Sequence, residues 1–149
     1  MFLSFLFLAF PSWANEPERD RTLPIEMKYP KGLVSDFSET LHPEEIAILE
    51  TKIGEISIRG LHSFVVITKD EKNLNHLVED LVLGWRLDQP YLKPSFLLVL
   101  GPKDYAVYTT DKKIEAAVVQ YRKDFEIARG EGRFYLKAFM VLDWLLDRK

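Results

Sequence analysis

An α/β fold, built as a three-layer α/β/α sandwich around a small mixed sheet, is what this sequence predicts. Three observations carry that reading. Two short apolar runs, Phe64-Val65-Val66-Ile67 and Phe96-Leu97-Leu98-Val99-Leu100, show no alternation with polar residues, as in strands covered on both faces. Segments with helical apolar spacing precede, join and follow these runs. Gly101-Pro102-Lys103-Asp104 separates the second run from a third strand, Tyr105-Ala106-Val107-Tyr108-Thr109. That connection is too short for anything but an antiparallel hairpin.

The elements follow in order. Gly32 to Phe37 leads into the domain. The first helix is expected from Leu41-His42-Pro43-Glu44-Glu45, because proline suits the first helical position and acidic residues suit the positive end of the dipole. His42 then takes the cap position, and Ile46, Leu49, Ile53 and Ile56 form a core face that Gly60 terminates. Leu61 to Thr68 is the first strand. Leu74 to Leu87 is a second helix with Leu74, Leu77, Val78, Leu81 and Trp85 on its apolar face. Asp88 to Pro94 is a loop, since Pro90 and Pro94 bar regular structure. Ser95 to Leu100 and Tyr105 to Thr109 are the hairpin strands. Thr110 and Asp111 cap a third helix with Ile114, Val118, Tyr121 and Phe125 on one face. Gly130-Glu131-Gly132 breaks it, and Phe134 to Leu146 is the last helix.

The start of the chain has a different character. Residues 1–14 read MFLSFLFLAFPSWA, an apolar run broken by Pro11 and followed by small residues at Ser12 and Ala14. This is the pattern of a signal peptide cut between Ala14 and Asn15. The run is half the roughly 20 residues a spanning helix needs, although no Lys or Arg precedes it. The expected location is therefore periplasmic or secreted. Residues 15–31 are polar, carry Pro17, Pro24 and Pro30, and read as an extended arm. Residues 32–149 are the α/β domain.

Composition narrows the function classes. The 20 Lys and Arg are interleaved with 23 Asp and Glu, for a net charge of −3. Nucleic acid is thereby disfavoured as a partner, since that binding relies on clustered cations. With no cysteine there are no disulfides, thiolate metal sites or thiol nucleophiles. His42, His62 and His76 form no paired motif, and no phosphate loop or Gly-x-Ser-x-Gly elbow occurs. His62 is expected at an edge or on the surface.

The succession of motifs from Val34 to about Leu145 resembles the TPM-domain family, named for thylakoid-lumen and photosystem-associated members. It runs from Val34-Ser35-Asp36 through Leu41-His42-Pro43-Glu44-Glu45 and Val65-Val66-Ile67-Thr68. It continues with Leu81-Val82-Leu83-Gly84-Trp85, Phe96-Leu97-Leu98-Val99-Leu100 and Asp104-Tyr105. The chain resembles a shortened, diverged member. Where the family has a Gly-rich acidic loop after the Trp, this sequence has Arg86-Leu87-Asp88-Gln89-Pro90-Tyr91-Leu92-Lys93-Pro94.

The resemblance implies two activities. One is a non-enzymatic binding or accessory module whose partner is another envelope or membrane-complex protein. The other is a divalent-metal-dependent, acid-phosphatase-like hydrolase. Calcium or magnesium would take oxygen ligands from loops, and the candidates are Asp36, Asp88 and Asp104, all expected near strand ends. The plain alternative is that each is an ordinary turn or capping aspartate. Loss of the acidic loop weakens the metal reading, so no cofactor is required. For partner binding, Trp85 and Tyr91 bracket the variable loop, and Tyr105 projects from the hairpin. Core packing is the commoner use of such aromatics.

Overall fold

In the computed structural model, the described residues are 23–70, 73–89, 93–130 and 132–147. They form an α/β fold with a four-stranded mixed sheet in the order β1-β2-β3-β4. The strands are β1 (Val34–Asp36), β2 (His62–Ile67), β3 (Ser95–Leu100) and β4 (Tyr105–Thr109). The helices are α1 (Pro43–Ile58), α2 (Leu74–Gly84), α3 (Lys112–Gln120) and α4 (Phe134–Asp147). β1, β2 and β3 are parallel, and β4 returns antiparallel to β3.

The unbroken apolar runs are explained by two cores. Val65, Ile67, Phe96, Leu98, Leu100 and Val107 face one layer, made by α1, α3 and α4. Phe64, Val66, Leu97, Val99, Ala106 and Tyr108 face the other, where α2 supplies Val78, Leu81 and Val82. Each strand residue thus meets helix on whichever side it points, as its lack of polar alternation requires.

This arrangement has a topological consequence. β1, β2 and β3 are parallel and step across the sheet in one direction. Their two connecting helices nevertheless lie on opposite faces. The two crossovers are therefore of opposite hand, and one of them breaks the right-handed rule for such units.

α1 begins as the sequence predicts. His42 stands at the cap, Pro43 opens the helix, and the His42 amide donates to Glu45 Oε1 at 3.0 Å. α1 is fixed to α4 by Lys52, whose Nζ meets Asp143 Oδ1 at 2.5 Å and lies 4.2 Å from the centre of the Phe139 ring.

Five expectations are corrected. The arm is not wholly extended and polar: from Leu23 it turns through a 3-10 segment at Ile25–Met27 and buries Met27. Trp85 Nε1 donates to the Met27 carbonyl at 2.9 Å, and Leu23 packs on the α2 core. The approach to the domain contains a real strand, β1. The second helix stops at Gly84 rather than Leu87, because Arg86 adopts φ 57° and turns Leu87 back into the core. The third helix ends at Gln120. It is followed by a 3-10 segment, Arg122–Ala128, whose three-residue repeat carries Phe125 and Ala128 inward together. His62 also belongs to an interior strand, β2, and sits half-buried with its ring 4.7 Å from Phe64. The stretch 1–22, with the expected leader, lies outside the described residues.

The Trp85 bond yields a first prediction. Trp85→Phe keeps the apolar ring but removes the donor to Met27, and should lower stability by about 1 kcal/mol. Urea unfolding measures the loss, and faster amide exchange around Met27 would localise it.

Candidate functional site: the open edge of β4

Asp36 ends β1 and is 6% exposed. Its Oδ1 accepts the Ser38 amide at 3.0 Å, the Glu39 amide at 3.1 Å and the Ser38 hydroxyl. Its Oδ2 accepts the Thr40 amide at 3.0 Å and the Leu41 amide at 2.8 Å. A carboxylate has about four lone-pair positions, and here five donors converge on it. Asp36 therefore organises the turn from β1 into α1, holding Glu39 at φ 57°, and is a buried turn aspartate.

The other two candidate ligands do not join it. Asp36 pairs with Ile67, Ile67 with Leu100, and Leu100 with Tyr105. Asp36 and Asp104 thus share one end of the sheet but lie by its two outer strands. At about 4.8 Å per strand they are about 14 Å apart, against the roughly 2.3–2.6 Å of a calcium–oxygen bond. Asp88 is exposed and acts electrostatically on Tyr108. Tyr108 pairs with Leu97, near the opposite end of β3. Among the described residues no group of three or more His, Asp or Glu is arranged to hold an ion.

Of the three aromatics proposed for partner binding, Trp85 is half-buried, edge-on to Phe64 at 6.2 Å, and holds the arm. Tyr91 lies outside the described residues. Tyr105 does line a cleft.

That cleft, of about 430 Å³, runs along the free side of β4. One wall is Tyr105, Ala106 and Val107, and the facing wall is Val118, Val119 and Arg122. Asp104, Arg129 and Asn75 stand at its Tyr105 end. A second cleft of about 330 Å³ continues from there, sharing Asn75, Asp104 and Tyr105 and reaching Lys103 and Asp70. The Arg129 Nε donates to Asp104 Oδ1 at 3.2 Å, and its guanidinium lies 5.4 Å from the centre of the Tyr105 ring. The Gly130 amide donates to the Lys103 carbonyl at 2.8 Å, tying the 3-10 segment's exit to the hairpin turn. Burial, partly opposed by Arg129, pushes the Tyr105 phenol above its ordinary range.

The hydrogen-bond alternation of the hairpin decides what this cleft presents. Thr110 N donates to the Ser95 carbonyl and Gly101 N to the Asp104 carbonyl. The bonded pairs are then Leu97 with Tyr108 and Val99 with Ala106. The peptide groups of Tyr105, Val107 and Thr109 consequently turn outward. Tyr105 N is met by Asp104 Oδ1 at 2.8 Å. Among the described residues nothing meets the N–H or the C=O of Val107, although Val107 is only 5% exposed. Buried backbone groups are nearly always paired, so this peptide is an exception that faces the cleft. On the opposite margin, β1, Val34 N donates to Glu50 Oε2 at 3.2 Å and Lys31 Nζ donates to the Asp36 carbonyl at 3.3 Å, which covers two of its outward peptide groups.

Sequence reasoning named Tyr105 but missed Val107, Val119 and Arg122. The connection Gly101–Asp104 contained the missing signal, because a short hairpin fixes which peptides of its second strand face outward.

Compared with family models and with curated proteins, the chain matches none. No helix among the described residues is long and apolar enough to cross a membrane.

On the α2 side of the sheet, burial, assisted by Asp88 and Glu115, pushes the Tyr108 phenol up to about 12. The folded value lies above the ordinary value of 10.0, so the folded state holds this proton more tightly. Its contribution to stability is complete below pH 10 and is lost as pH rises towards 12. Ultraviolet titration should show one tyrosinate appearing near pH 12, with unfolding free energy falling across that interval. Ionisation near pH 10 without loss of stability would disprove this.

Proposed function

We propose that this protein is an exported, TPM-like binding or accessory module, non-enzymatic, that holds a partner in the β4 cleft. The observation supporting it is the buried, unmet Val107 peptide facing an open cleft with the exposed Val119 and Arg122 on its other wall. The metal-dependent hydrolase receives less support, because both oxygens of Asp36 already accept donors from its own turn. Export rests on the leader pattern at residues 1–14, and the partner is an envelope or membrane-complex protein.

Photocrosslinking in cells tests the cleft. A photoreactive side chain at Val119, which is 53% exposed, should give a discrete adduct; one at Ile58, 88% exposed on α1, should not. Equal labelling at both positions, or none at Val119, would sink the binding assignment. Mass spectrometry of the protein recovered outside the cytoplasm should find Asn15 at the amino terminus. An unprocessed Met1 form retained inside would remove export from the proposal.

A further inference from the structure

The geometry points to β-strand addition: we infer that the β4 cleft accepts an extended, acidic, internal segment of a partner protein as a fifth strand. This rests on the binding reading above and specifies its ligand. Four observations lead to it.

The first is the Val107 peptide, whose N–H and C=O are buried, outward-facing and unmet among the described residues. A strand lying beside β4 would supply the reciprocal carbonyl and amide, as in other edge-recognition systems. The second is the protection of the opposite margin. Natural sheets cover or charge their edges against chance pairing, and β1 carries such covering from Glu50 and Lys31 while β4 carries none at Val107.

The third observation is charge. Arg129 is already engaged by Asp104 and Glu126. Arg122, exposed on the facing wall, has no ion-pair partner among the described residues. A second copy of this chain paired through β4 would present Tyr105–Thr109, a strand with no carboxylate to meet Arg122. A carboxylate on an incoming strand complements Arg122 instead. The fourth is the continuation of the cleft past Tyr105 into the space by Lys103 and Asp70. The groove does not close at its Tyr105 end, where Arg129 and Lys103 stand with Asp104 and Asp70, so a bound chain can run on. The carboxylate is therefore a side chain within a segment and not a chain terminus.

The test uses the full chain and a seven-residue peptide of alternating valine and glutamate, acetylated and amidated at its ends. In an amide NMR titration the largest shifts should fall on Tyr105, Val107 and Thr109, with smaller ones on Val119 and Arg122. Methylating the peptide's backbone nitrogens at alternate positions should weaken one of the two registers about tenfold or more, because each methyl removes a ladder donor. Arg122→Glu, a surface change that leaves the fold intact, should weaken the acidic peptide about tenfold. It should correspondingly favour a valine–lysine version.

Other outcomes overturn the inference. Binding in the cleft that neither N-methylated register weakens would eliminate strand addition while leaving the cleft as a binding site. Equal affinity for acidic and basic peptides would eliminate the charge assignment. Concentration-dependent dimerisation that shifts Val107 would assign the edge to a second copy. No binding at millimolar peptide would reject the inference outright, whereas the crosslink at Val119 separately decides whether the cleft binds anything.

Discussion

Asp36→Ala is expected to lower unfolding free energy by about 3–4 kcal/mol, a large share of the roughly 5–15 kcal/mol that domains of this size possess. The substitution strips acceptors from four backbone amides and the Ser38 hydroxyl in one step. It also leaves Glu39 at φ 57° with nothing to hold it there. Asp36→Asn should recover little, because its amide nitrogen would face donors. The carboxylate in this turn sits among backbone amides as a bound anion would. Formate or acetate at tens of millimolar should therefore restore part of the stability of Asp36→Ala and have no such effect on the native chain. Urea denaturation with and without the anion measures both. A loss below 1 kcal/mol would refute this account of the turn. Calcium-dependent stabilisation of the native chain that vanishes in Asp36→Ala would instead make Asp36 a metal ligand and revive the hydrolase reading.

Phe125→Ala should cost a comparable 3–5 kcal/mol, the usual range for deleting a fully buried phenyl ring. Phe125 is 0% exposed, edge-on to Trp144 with ring centres 4.6 Å apart, and 6.1 Å from Tyr105. Its loss should shift Trp144 fluorescence to longer wavelength as water approaches the indole. Removing the ring also takes support from behind Tyr105. The variant should therefore bind the acidic peptide less well even under conditions where it remains folded. Unchanged Trp144 emission, or unchanged peptide affinity in folded Phe125→Ala, would show that the 3-10 segment does not support the cleft.

Much of the fold was legible because the signals were local. Both hairpin strands have the predicted bounds, and α1 opens at Pro43 behind the His42 cap. The parts that were not legible each have a physical cause. β1 has three residues, too few to show a period, and it exists because Val34 to Asp36 pair with Val65 to Ile67. Helical spacing across Ile114, Val118, Tyr121 and Phe125 suggested one helix. The chain tightens after Tyr121, so Phe125 arrives in the core by a different repeat while Tyr121 stays 40% exposed. The buried Met27 could not be foreseen, because its partner, Trp85, is 58 residues away. At the site, residue types pointed to carboxylates and aromatics. What marks the cleft is a main-chain group, and main-chain groups are invisible to composition.

The two margins of the sheet also set a limit on assembly. A sheet with both margins open can gain strands indefinitely, and successive copies then grow into fibres. Here side chains from Lys31 and Glu50 cover one margin and leave the other receptive. Such a sheet has a valence of one. A chain that pairs with β4 leaves a far side whose Val34 amide and Asp36 carbonyl are already taken, which hinders addition of the next strand. Complexes made through this edge should therefore close at one partner per molecule. Loss of the covering, as in Glu50→Ala, would convert a capped receptor into a link that can propagate.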